Sequence, residues 1–359
     1  MKLWHIPEGI TRVAASPVMA ALGAALLFGG STPFAKMALG DTSPVLTAGL
    51  LLFGSGVGLL AAMLVRDRGR SNFGLPKKHR FWFLASTGFG GVAAPVLLME
   101  GLARTGAAVA SLMLNVETVF TVLLAWLVFR ENSGRRVMAG VALIVAGGIT
   151  LAWPAGNVDM KGAAGTLAIA AACLCWGIDN NLTRKISEAD AMLVACGKGL
   201  SAGIINTALA VATGAAIPAW SVIGPVMLIG FFGYGISLAL FIVALRGLGT
   251  ARTGAYFSIA PFIGAALSIT AFGDTVSGGF WIASALMGVG VWLHLTEMHS
   301  HEHRHPPMEH SHRHRHDLHH DHTHDFAWDG RESHAHPHRH EETTHAHPHF
   351  PDIHHRHSH

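Results

Sequence analysis

LARTGAAVASLMLNVETVFTVLLAWLVFRE at residues 102–131 and LRGLGTARTGAYFSIAPFIGAALSITAFGD at 245–274 are the same stretch of design, set 143 residues apart without a gap. The shift pairs Leu102 with Leu245, Gly106 with Gly249, Ala108 with Ala251, Phe129 with Phe272 and Glu131 with Asp274, and continues to Gly147 with Gly290. Upstream, a shift of 148 pairs Gly29 with Gly177 and Lys36 with Arg184. Around these strings, apolar runs of roughly 20 residues, enough to cross about 30 Å of hydrocarbon, can be marked ten times. They fall at 16–39, 44–65, 81–103, 107–128, 136–153, 162–182, 191–213, 222–245, 253–272 and 278–297. Five helices per copy is an odd number, so the second copy must lie in the membrane upside down. Inverted repeats of this kind characterise secondary transporters, with the binding site near the midplane between the halves.

The charges agree with a membrane body. Of 26 histidines only His5, His79 and His294 precede residue 299, and the other 23 lie in 299–359. That tail carries 6 Lys+Arg against 10 Asp+Glu, and residues 1–298 carry 19 against 12. The body is therefore apolar, sparsely charged and net positive, which excludes an ordinary soluble globule. With the N-terminus inside, 15 Lys and Arg fall in cytoplasmic segments before the tail and 2 in external ones. Ten crossings return the tail to the cytoplasm, so both termini are expected there and the chain in the cell (inner) membrane. Lys2 and Arg12 precede a run too long for a cleavable signal, which reads as the first crossing. Cys173, Cys175 and Cys196 sit in apolar runs and suggest no disulfide framework.

The strings FGGSTPFAK (28–36), WGIDNNLTRK (176–185), NVETVFTVLLAWLVFRE (115–131) and SIAPFIGAALSITAFGD (258–274) resemble the drug/metabolite transporter superfamily in its EamA type. The resemblance covers about residues 16–297. It implies an all-α membrane protein of ten helices in two inverted five-helix repeats. Pro261 and Asp274 fit the family's Pro followed by an acid; Glu131 fits too, but Thr118 stands at the first-half Pro. Leu50 replaces the family's second-helix Arg, and Lys198 holds the matching place in the other half. The domains expected are a cytoplasmic N-terminus (1–15), two EamA-like repeats (16–153 and 162–297) and a His-rich tail (299–359). Beyond this body the tail is expected to be disordered, since it has almost no aliphatic residues to fold around.

Ionisable groups in a bilayer are costly unless paired or hydrated, and so mark function. Glu100 and Glu117 stand out, with Lys36, Asp179 and Lys198 completing the set. Glu117 and Glu100 are the candidate proton-coupling or cation-coordinating groups; the bland reading pairs Glu100 with Lys36 or Arg104. Asp179 and Asn180 either touch substrate or cap a helix end, and Trp176 either lines the cavity or packs. His294 is expected at the interface.

The tail is a tandem duplication. A shift of 35 lays 301–324 over 336–359, pairing His301 with His336, His303 with His338, His305 with His340, His310 with His345 and His312 with His347. It also pairs His314 with His349, His319 with His354 and His320 with His355. Imidazole at this density is a ligand set for Ni, Co, Zn or Cu, while the body requires no cofactor. Partners expected are the lipid bilayer and a small-molecule or metal-ion substrate, with a homodimer left open; nucleic acid is not expected. No nucleophile–base pair, phosphate loop or HExxH string indicates an enzyme. Three functions remain: an exporter of a small metabolite carrying a metal-binding tail; a divalent-metal transporter using Glu100, Glu117 and Asp179; and a membrane-anchored metal buffer or sensor.

Overall fold

The computed structural model describes residues 16–40, 42–67, 76–129, 134–152 and 160–296, and the backbone of tail segments 299–305, 308–314, 334–340 and 343–349. Glu131, His319, His320, His354, His355 and the N-terminal segment 1–15 lie outside the described residues.

Among the described residues ten helices are long and apolar enough to cross a membrane. In order they are Pro17–Leu39, Pro44–Arg66, Lys77–Arg104, Ala107–Val128, Arg135–Ala152, Lys161–Arg184, Ala191–Ala212, Trp220–Thr250, Arg252–Phe272 and Gly278–Leu295, the first to tenth spans below. Pro17 and Pro44 open the first two, where a missing N–H costs nothing. Ser43 and Asp190 cap the second and seventh, Asp190 Oδ1 accepting from the amides of Met192 and Leu193 at 2.8 and 3.0 Å. Gly249, with φ of 74°, kinks the chain at the end of the eighth span, just before the ninth.

The packing is that of two halves related by inversion. Gly29 of the first span lies so close to the Ala260 carbonyl of the ninth that no Cβ fits. Its repeat mate Gly177, on the sixth span, meets the backbone of Phe120 and Thr121 on the fourth in the same way. Gly233 lies against Ser31, and the mates of that pair, Gly90 and Asp179, lie against each other. The second span runs antiparallel to the seventh, its counterpart, through the approaches Gly49–Thr207, Phe53–Gly203 and Gly56–Leu200. The fifth and tenth do likewise through Gly140–Gly290 and Gly147–Ala283. Small residues permit such approaches where lipid gives helices no hydrophobic reason to associate. His294, in the last turn of the tenth span, is buried against the fifth, its Nε2 2.9 Å from the Val137 carbonyl.

Two counterpart segments depart from α geometry. Thr87–Ala93 in the third span and Phe231–Ile236 in the eighth are π-helical, and the 143-residue shift superimposes them. The wider turn frees carbonyls: Gly90 O accepts from Trp176 Nε1 at 3.1 Å, and Val92 O from Asn206 Nδ2 at 3.3 Å. The fourth span is also broken, between Met113 and Val116, where the amides of Leu114, Asn115, Glu117 and Thr118 each bond three residues back at 3.1 Å.

The tail forms a separate unit. Four of its segments run as strands: β1 His299–His305, β2 Met308–His314, β3 His334–His340 and β4 Thr343–His349. β1 pairs antiparallel with β4, and β2 with β3. The physical reason is the period of two in His-x-His, which is strand-like, combined with duplication, which supplies each segment with a matching partner. His301 stands opposite His347, His303 opposite His345, His310 opposite His338 and His312 opposite His336.

Candidate functional site

Trp176, Asp179 and Asn180 fall at i, i+3 and i+4 of the sixth span and so share one of its faces. That face borders a cavity enclosing about 630 Å3 of space not filled by atoms, open solvent at its mouth included. The fourth span adds Glu117, the seventh Lys198, the first Phe28, and the π-helical turns Gly90 and Tyr234. Both repeats thus contribute, and both π-helical turns form wall.

Two polar clusters hold the cavity together. Lys198 and Asp179, 2% and 5% exposed, form an ion pair with Nζ 2.6 and 2.7 Å from the two carboxylate oxygens. Thr183 joins them, its hydroxyl donating to Asp179 at 2.8 Å and accepting from Lys198 at 3.1 Å. Charges this far from water are tolerable only when paired and hydrogen-bonded. Glu117 is buried as well, but Asn180 is its partner, donating from Nδ2 to Oε1 at 2.8 Å. Asn180 also reaches Thr121 Oγ1 at 3.2 Å. Among the described residues no cation pairs with Glu117. The break in the fourth span puts Glu117 at the first turn of the helix that resumes there.

An aromatic cluster forms the apolar side. The Phe28 ring meets Trp176 edge-on at 5.7 Å, Tyr234 at 5.6 Å and Phe257 at 5.4 Å between centroids. Phe28 and Trp176 are repeat mates under the 148-residue shift, so the axis relating the halves passes through the cavity between them. Beside it Thr118, at the Pro position of the first repeat, shares a 2.5 Å hydroxyl–hydroxyl hydrogen bond with Ser258 of the second.

The structure therefore gathers five of the seven body residues singled out from sequence: Glu117, Asp179, Asn180, Trp176 and Lys198. Glu100 stands elsewhere, in a half-exposed pair with Arg104 at 2.6 Å one turn away. Lys36 also lies outside the cavity lining and donates to the Leu102 carbonyl. Close by, Asp274 Oδ2 caps the fourth span by accepting from the Ala108 amide at 2.9 Å. Phe28, Tyr234, Phe257 and both π-helical turns went unnoticed in the sequence; the glycine-rich strings GFGG (88–91) and GFFGYG (230–235), which overlap under the 143-residue shift and match at Gly90 and Gly233, were the available signal. Among the described residues no three His, Cys, Asp or Glu side chains gather to hold a metal ion.

Ten apolar helices in two inverted halves, closing on a cavity with buried charge, define a membrane transporter. Residues 15–153 and 163–296 each match the EamA-like transporter family, and the chain belongs to it. It is similar to a protein of Methanothermobacter thermautotrophicus called "Uncharacterized transporter", 26% identical over 286 residues, covering 75% of this chain and 83% of that one. A solved structure described only as "Crystal structure of protein" has the same fold, with a TM-score of 0.61 at 21% identity over 78% of this chain and 95% of that one.

Proposed function

We propose that the chain is a secondary transporter that exports a small organic solute through the cavity between its halves, and that its cytoplasmic tail binds transition metal. The observation that carries this reading is Glu117, an acid buried in the cavity wall with an amide for a partner rather than a cation. Such a group is expensive in a membrane unless solute or proton uses it. The positive-inside bias of the sequence supports cytoplasmic termini. The test expresses wild type and Glu117→Gln in cells challenged with inhibitory amino acids, organic amines and divalent metal salts in turn. Wild type should raise tolerance to at least one solute, and the variant should lose that tolerance at equal membrane abundance. Retained tolerance in the variant would overturn the role of Glu117.

The second reading, a carrier of Ni, Co or Zn, draws on the tail, where β1–β4 and β2–β3 set histidine opposite histidine. The cavity gives it less support: its acids are Glu117 and Asp179, and Asp179 is taken by Lys198. Cells expressing the full chain or one ending at Glu297 separate the readings. If neither changes cellular Ni, Co, Zn or Cu, metal transport is excluded and the tail is at most a buffer or regulator.

A further inference from the structure

We propose that the cavity selects a small organic cation, an ammonium group on an apolar and preferably aromatic body, over zwitterions and anions of the same shape. This rests on the transporter reading above and names its substrate class. The first argument is a tally of charge. The cavity is lined by two acids, Glu117 and Asp179, and one base, Lys198. Lys198 has three N–H donors and three acceptors already in place, both oxygens of Asp179 and the hydroxyl of Thr183. It has no direction left for a solute carboxylate. The ion pair cancels itself, and Glu117 remains as the unbalanced charge.

The second argument is the apolar lining of the same cavity. Phe28, Trp176, Tyr234 and Phe257 form one connected ring cluster with centroid separations of 5.4 to 5.7 Å. Ring faces are electron-rich and attract cations, most strongly where water is excluded. They offer an anion nothing. The third argument is an unmet hydrogen bond. Among the described residues, the Tyr234 hydroxyl and the Ser55 hydroxyl are buried in the cavity wall with no partner. Buried hydroxyls without partners are uncommon, and both can accept from an ammonium. A zwitterion could place its ammonium here too. Its carboxylate would then lie near two acids and no free base, which penalises it relative to the plain amine.

The experiment uses the purified full-length chain in lipid nanodiscs and three probes sharing one ring: 2-phenylethylamine, L-phenylalanine and 3-phenylpropionate. Binding is read by titration calorimetry. The amine should bind about tenfold or more tighter than either other probe, the scale of a desolvated cation–π contact combined with a carboxylate. Glu117→Gln should erase that preference. Phe28→Leu, which removes a ring and leaves every charge in place, should weaken the amine several-fold and serves if the first variant does not fold. Equal or tighter binding of the zwitterion or anion overturns the inference, as does amine binding indifferent to both substitutions. If none of the probes binds while cells still show Glu117-dependent tolerance, the cation inference falls and the transporter reading stands. If that tolerance is absent too, both fall.

Discussion

At the scale of the residue, the buried Asp179–Lys198 pair sets the sharpest expectation. Asp179→Asn leaves a lysine charge with nothing to neutralise it, and loss of one partner of a buried pair costs about 3–5 kcal/mol. The variant should unfold at clearly lower temperature in detergent, whereas Asp179→Leu combined with Lys198→Met should recover much of the loss. Thr118→Val tests the bond to Ser258 that joins the halves, for which about 1 kcal/mol is the scale of a buried hydrogen bond; the same melting measurement reads it. Glu117, Asp179, Asn180, Trp176 and Lys198 were legible in the sequence because polar or outsized groups in apolar runs stand out against their surroundings. Glu100 and Lys36 stood out equally, yet each finds its partner near a helix end, and one turn of helix decides between end and cavity. Phe28, Tyr234 and Phe257 were hidden for the opposite reason: an aromatic residue in an apolar run looks the same whether it packs or lines.

At the scale of the element, the glycines separate into those that touch and those that do not. Gly29 has no room for a Cβ beside Ala260, while at its neighbour Gly30 nothing lies within 4 Å. Gly29→Ala should therefore cost about 1–3 kcal/mol by overpacking, and Gly30→Ala should be neutral or slightly stabilising. Gly90→Ala against Gly88→Ala makes the same comparison inside the π-helical turn. A methyl at 90 collides with the Asp179 carboxylate, whereas at 88 it meets nothing. The first should disturb the ion pair and lower solute binding; equal behaviour of the two would remove Gly90 as the seat of Asp179. The ten spans were readable from length and apolarity, with the third reaching back to Lys77 and the eighth on to Thr250. Their interruptions were not. Composition carries no mark of an extra residue in a helical turn, and only the glycine-rich character of the two segments, matched at Gly90 and Gly233, hinted at it.

At the scale of the whole molecule, the boundary between body and tail was plain from composition, because histidine and aliphatic residues scarcely overlap. The pairing of the tail was not, since a repeat of period two offers several registers in which histidine still meets histidine. The full chain should bind Ni or Zn at about micromolar affinity or better, as a multidentate imidazole set would, and the chain ending at Glu297 should lose that binding in the same titration. The two repeats, so alike in backbone, differ where chemistry is concerned. Glu117 has Ala260 as its mate, Lys198 has Leu50, Asp179 has Ser31, and Tyr234 has Gly91. A frame that inversion maps onto itself thus carries one polar wall and one plain one. A solute whose head group rests on the fourth and sixth spans must keep it there whichever mouth is open, entering head first by one route and leaving tail first by the other. The frame is symmetric in outline, and a solute held this way is not.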